Sequence, residues 1–191
     1  MPIRIFIDQG HNPGFVNAGA QANGLIESEI NYNVGIYLAE LLNADPNFEV
    51  RTSRTDPEEV LGDTTASSLA IRVGMANEWP ADYFISIHGN ANENPAINGA
   101  EVYVFAPYTE PFYLAEYVLD AIVETVGIRN NGVRLNPSLY VLRRTAMPAI
   151  LVELGYLTNL SDAQLLKDNQ RLFAYGIYRG LLNYFGLQPT A

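Results

Sequence analysis

The chain has 191 residues, 48% of them apolar, a net charge of −10 and no cysteine. That is one good-sized globular domain able to bury most of its apolar surface, and its acidity argues against nucleic acid or an anionic membrane as partner. Without cysteine there is neither a disulfide framework nor a thiolate metal site, so any metal must be held by histidine and carboxylate.

Met1-Pro2 passes directly into "IRIFID" (3–8), without the basic start or long apolar core of a secretory leader. The expectation is a cytoplasmic protein, or a mature or excised domain. No stretch approaches the ~18–20 apolar residues that span a bilayer, so no membrane insertion is expected. After 3–8 come five more strand candidates: "FEVRTS" (48–53), "DYFISI" (82–87), "AEVYVF" (100–105), "SLYVLR" (138–143) and "AILVEL" (149–154). Each is rich in Val, Ile, Phe or Tyr and bounded by turn residues.

Helical patterns alternate with these strands. In 29–43, Ile30, Val34, Tyr37, Leu38, Leu41 and Leu42 recur at helical spacing. A second helix runs over 67–79 with Leu69, Val73 and Ala76 on one face. A third, over 111–127, carries Leu114, Tyr117, Val118, Ala121 and Ile122 and stops at Gly127, a suitable C-terminal cap. The last opens with Ser161 and Gln164 as a capping box and turns Leu165, Leu166, Leu172, Ile177 and Leu181 inward. The alternation predicts one α/β domain over residues 1–191: a twisted, mostly parallel open sheet of about six strands with helices on both faces.

In such sheets, sites form beyond the carboxyl ends of the strands. His11 follows the first strand and His88 follows "FISI"; they are the only two histidines. Glu153 stands at the end of "AILV", and Glu27 at the mouth of the first long helix in "GLIESEINYN". Each has a plainer explanation. A histidine at a strand end can be a hydrogen-bonded structural residue. Glu27 can simply be an acid favoured by the helix dipole, and Glu29 competes with it as a ligand. Asp8 is either a turn former before Gly10 or an acceptor that orients a ligand histidine. Glu153 is harder to dismiss, because an isolated carboxylate in "AILVELGYL" is costly to bury.

The chemistry open to these residues is specific. Zinc held by two imidazoles and a carboxylate keeps an open position, lowers the pKa of a water toward ~7 and polarises a carbonyl. A further carboxylate can take the water's proton and pass it to a leaving amine. His11, Glu27 and His88 suit the first role and Glu153 the second. No H-E-x-x-H pair, G-x-S-x-G elbow or P-loop lysine is present.

Five segments in order carry a family resemblance: "IDQGHNPG", "GLIESEINYNVGIYLAELL", "VRTSRTD", "LAIRVGMANEWPADYFISIHGNAN" and "LYVLRRTAMPAILVELGYLTNLSDAQLL". Together they resemble the zinc-dependent N-acetylmuramoyl-L-alanine amidases of the Amidase_3 type, over nearly the whole chain. The resemblance implies one zinc ion held by His11, Glu27 and His88, with Glu27 favoured over Glu29, and Glu153 as the catalytic carboxylate. It implies peptidoglycan as substrate, cut between the lactyl group of N-acetylmuramic acid and the L-alanine of the stem peptide. Asn90, Asn92 and Arg144 are candidate donors to peptide or carboxylate groups of that substrate. Gln9, Asn12-Pro13, Gly89 and Tyr156 depart from commoner family residues without removing a ligand.

Some members carry a plugging helix after the segment matching "SIH"; here the short 92–111 stretch leads to no such expectation. Activity is therefore expected to be constitutive or governed by an outside regulatory partner. The family implies an extracellular, cell-wall or periplasmic location, with wall targeting supplied by an external domain or partner, and a monomer is the default. Two other readings stand beside it: a zinc peptidase cutting within stem peptides, and a non-catalytic wall-binding module.

Overall fold

The computed structural model describes residues 1–189. Its centre is a six-stranded sheet in the order β4-β1-β5-β8-β6-β7. The strands are β1 (Ile3–Gln9), β4 (Phe48–Thr52), β5 (Tyr83–Asn90), β6 (Ala100–Val104), β7 (Asn130–Leu135) and β8 (Ala149–Tyr156). All neighbours run parallel except β6 and β8, which are antiparallel. Two short strands, β2 (Gln21–Ala22) and β3 (Leu25–Ile26), form a separate hairpin. Its two-residue turn is Asn23-Gly24, both at positive φ (50° and 73°), the backbone that Asn-Gly supplies at least cost.

Side chains alternate between the two faces of the sheet, and each face has its own core. Ile5, Ile7, Ile85, Ile87, Ile150 and Val152 point to the larger one. There they meet α1 (Glu27–Asn43), α3 (Glu110–Val126) and α6 (Gln170–Phe185). Phe6, Phe84, Ala149 and Leu151 point to the other face, against α2 (Thr65–Glu78) and α4 (Tyr140–Arg144). Ile30, Val34, Leu38 and Leu42, at four-residue spacing, give α1 its buried stripe. α2 starts at a reciprocal Thr64/Ser67 capping box, and α3 ends at Gly127 with φ 78°.

Period two decides where the chemistry falls. Asp8 lies on the face of Phe6; Ser86 and His88 on that of Phe84; Glu153 on that of Leu151. Register then lines up Asp8 with Ser86, and His88 with Glu153 and Glu101 across three neighbouring strands.

Four expectations are corrected. Residues 138–143 do not form a strand: Leu139 caps the short helix α4, which turns Val141 and Leu142 against α2. The sixth strand is instead "NNGVRL", the polar edge strand β7, formed because β6 offers it a pairing edge. The last helix is two helices, α5 (Leu160–Asp168) and α6, broken at Asn169. Asn159, not Ser161, caps α5 by accepting from the Ser161 and Asp162 backbone, while Gln164 bonds Asp168. Leu172 faces outward, 43% exposed, whereas Leu166, Ile177 and Leu181 are buried. Among the described residues no helix is long and apolar enough to cross a membrane.

Candidate metal centre

His11 leaves β1 in the left-handed region, φ 67°, which costs a side-chain-bearing residue about 1–2 kcal/mol. Arg72, only 1% exposed, reaches from α2 to hold that turn. Its guanidinium donates to the Gln9 carbonyl (2.6 Å), the His11 carbonyl (2.5 Å), Asn12 Oδ1 (2.7 Å) and Asp8 Oδ1 (2.7 Å). The imidazole Nδ1 lies 3.0 Å from the Asn17 carbonyl. A carbonyl only accepts, so Nδ1 carries a proton and Nε2 is the nitrogen left for a cation.

Glu27 is the first residue of α1, set there by the hairpin before it. Its backbone N–H donates to the Ala20 carbonyl, and its Oε2 accepts from the Ala20 N–H at 2.7 Å. Arg54 donates to the Ser28 carbonyl at 2.6 Å, fixing the same first turn. Glu27 Oε1 lies 3.0 Å from His11 Nε2 and 3.2 Å from His88 Nδ1. The two imidazoles meet nearly edge to face, 4.8 Å between ring centres. Glu29, by contrast, is exposed on the outside of the same turn.

The three ligand atoms offered by His11, Glu27 and His88 lie within 4.8 Å of one another, a group that could hold a metal ion. Two glycines keep the space clear. A Cβ on Gly10 would sit 2.3–2.7 Å from the His88 ring, and one on Gly19 2.6 Å from Glu27 Oε2 and 2.8 Å from the His11 ring. The donor set fits a divalent cation. A carboxylate oxygen and a lone pair on His11 face the same point as His88 Nδ1, an arrangement of acceptors that only protons or a cation can satisfy. Burial works against charge on Glu27, yet the neighbouring imidazoles outweigh it and hold this carboxyl well below the usual range. Burial likewise opposes charge on His11, and contact with Glu27 outweighs it and raises the imidazole.

Glu153 stands beside this group. The residue is partly exposed, but its Oε2 is buried and has no hydrogen-bond partner. Burial, then the charges of Glu27 and Glu101, push its carboxyl well above the ordinary value. A carboxyl whose neutral form is favoured in this way is suited to holding a proton and passing it on.

Around the core of the site, the sequence candidates separate. The Asn90 amide nitrogen donates to Glu101 (2.9 Å), and its Oδ1 accepts from the Ala91 N–H. Asn92 Oδ1 accepts from the Asn94 N–H in a turn. Arg144 ends α4 with an exposed side chain. Sequence reasoning missed Glu101, which accepts from Asn90, Tyr103 and Tyr156 on one oxygen. It also missed Arg72 and Ser86. Ser86 had a readable signal, lying two residues before His88 on the same strand face; the partners of Arg72 come from the end of β1 and the turn after it, far away in the chain, and leave no local pattern. Asp8 is the ion-pair partner of Arg72 rather than a turn former, and it reaches a ligand histidine, His88, only through Ser86.

Comparison with known proteins agrees with this geometry. The Amidase_3 family profile, described as N-acetylmuramoyl-L-alanine amidase, matches residues 5–183. N-acetylmuramoyl-L-alanine amidase CwlM of Bacillus licheniformis is 36% identical over 193 residues, covering 99% of this chain and 71% of that protein. N-acetylmuramoyl-L-alanine amidase LytC of Bacillus subtilis is 35% identical over 185 residues, covering 95% of this chain but 35% of LytC. The solved catalytic domain of CwlV, an amidase from Bacillus (Paenibacillus) polymyxa, superposes with a TM-score of 0.85 at 28% identity, covering 97% and 99% of the two chains.

Proposed function

The chain belongs to the N-acetylmuramoyl-L-alanine amidase family and is a hydrolase of that class; from that premise we propose that it cuts peptidoglycan as a zinc enzyme, with residues 1–191 acting as one catalytic domain. The bond cleaved joins the lactyl carbonyl of N-acetylmuramic acid to the nitrogen of L-alanine. The observation that carries this reading is the convergence of His11, Glu27 and His88 beside the unpartnered oxygen of Glu153.

Zinc would be held by His11 through Nε2, by His88 through Nδ1 and by Glu27. When bound it supplies a Lewis acid that polarises the lactyl carbonyl and lowers the pKa of water toward ~7. Glu153 takes the proton of the attacking water and delivers it to the alanine nitrogen as the carbon–nitrogen bond breaks. The products are a free lactyl carboxylate and a new L-alanine amino terminus. Glu101, tied to Asn90, Tyr103 and Tyr156, fixes the strand edge next to Glu153. Among the polar candidates the Asn90 amide nitrogen is taken by Glu101, Asn92 Oδ1 serves a backbone turn, and Arg144 has an exposed side chain on a residue whose carbonyl accepts from Asn77 near the C-terminal end of α2.

Peptidoglycan lies outside the cytoplasmic membrane, and the relatives' activity supports a wall or extracellular location for this one. Net charge of −10 gives no attraction to anionic wall polymers, so targeting falls to an external domain or partner. Mass spectrometry of digested muropeptides tests the reaction. Intact stem peptides beginning with L-alanine, released only in the presence of metal, support it; cleavage between two amino acids would identify a stem-peptide peptidase instead, and no cleavage a wall-binding module.

A further inference from the structure

We infer that Asp8 and Ser86 are positioning residues that set the tautomer of His88, so that the nitrogen facing Glu27 is the one free to take a metal. The inference rests on the metal-site reading above and adds residues to it.

Four side chains, three of them buried, form a file across β1, β5 and α2. Arg72 donates to Asp8 Oδ1 at 2.7 Å, both side chains being 1% exposed. Ser86 Oγ lies 2.7 Å from the other Asp8 oxygen, and His88 Nε2 lies 3.2 Å from Ser86 Oγ. The opposite ring nitrogen, Nδ1, lies 3.2 Å from Glu27 Oε1.

The direction of each bond follows from what each group can do. Asp8, ion-paired with Arg72, is a carboxylate and only accepts. The single hydroxyl proton of Ser86 must therefore point to Asp8. The Ser86 oxygen is left as an acceptor, and the group aimed at it is His88 Nε2, which must carry the hydrogen. With the hydrogen of neutral His88 held on Nε2 by Ser86, Nδ1 is the nitrogen left for a cation; in the metal-free protein Glu27 Oε1, 3.2 Å from Nδ1, is a second acceptor for that hydrogen, and the relay acts against it. Without the carboxylate, the serine proton could turn to Nε2 and the imidazole proton would sit on Nδ1, where a cation needs the lone pair. His11 is set independently, by the Asn17 carbonyl. The two ligand histidines are thus oriented by different means, one by a backbone carbonyl and one by a charged relay.

The test uses two variants with opposite mechanisms. Ser86→Ala removes the acceptor and leaves the tautomer of His88 unset. Asp8→Asn inverts the relay: its amide oxygen faces Arg72, its NH₂ donates to Ser86, and the serine proton turns to His88 Nε2. Imidazole nitrogen shifts of the metal-free protein are read by NMR at a pH where both histidines are neutral. Zinc affinity is measured by chelator competition. Expected are an Nε2–H His88 in the wild type, a mixture in Ser86→Ala and an Nδ1–H form in Asp8→Asn, with His11 unchanged throughout. Zinc affinity should fall about 10–100-fold in Ser86→Ala. A wild-type His88 with its proton on Nδ1, or a Ser86→Ala protein with an unaltered His88 tautomer, overturns the inference. The tautomer readout needs no metal, so a wild type that failed to bind zinc would sink the metal reading while the relay was still scored. If Asp8→Asn fails to fold, Ser86→Ala carries the decision alone.

Discussion

Glu153→Gln should move activity and stability in opposite directions. On activity, the substitution removes the group that takes and returns a proton, a role worth about 10²–10⁴ in rate. On stability, wild-type Glu153 places a buried, unpartnered carboxylate oxygen near Glu27 and Glu101. Its folded-state pKa lies above the unfolded value, so the protonated form is the one the fold favours. The contribution it makes is fully present below the unfolded pKa of about 4.3 and is lost as pH rises through the folded value. Each unit of that upward displacement is worth about 1.4 kcal/mol. Glutamine cannot ionise and escapes the loss. Metal-free Glu153→Gln should therefore match the wild type near pH 4 and exceed it near neutrality, by about 1.4 kcal/mol for each unit of that displacement crossed. Urea unfolding of both metal-free proteins at the two pH values, with muropeptide release from zinc-loaded samples, reads both effects. A variant with near wild-type turnover, or one no more stable than wild type at neutral pH, refutes the reasoning.

Gly10→Ala should expel the His88 ring, since the new Cβ would lie 2.3 Å from Cε1; zinc affinity by chelator competition should fall about tenfold or more while circular dichroism stays native. Arg72→Met strands the Asp8 carboxylate, 1% exposed, and should cost about 3–5 kcal/mol in urea unfolding. Removing metal with EDTA should abolish activity and added zinc restore it. Zinc at a hundred times its Kd should raise unfolding stability by about 2.7 kcal/mol in the wild type and not in His88→Ala, measured by calorimetry.

The convergence of His11, Glu27 and His88 was legible because parallel strands deliver their ends to one edge, and two histidines at two strand exits are few enough to trace. Glu27 was separable from Glu29 only through family resemblance; in three dimensions the two point to opposite sides of one helical turn. The run Leu139-Tyr140-Val141-Leu142 misled because four apolar residues in succession have no period, and packing against α2 decided for helix. β7 was unreadable for the converse reason: Asn130, Asn131 and Gly132 have poor strand propensity, and only pairing with β6 makes them a strand. The Asp8–Ser86–His88 file joins two strands adjacent in space but far apart in the chain, so register had to be known first.

The central claim is that both imidazoles and Glu27 share one cation next to Glu153. X-ray absorption spectroscopy of zinc-loaded protein, with metal counted per chain, tests it most directly. The account predicts one zinc per chain with two imidazole ligands and at least one oxygen ligand at about 2.0–2.2 Å, and loss of that signal in His88→Ala. A spectrum without imidazole ligands, or zinc retained unchanged in His88→Ala, would contradict it.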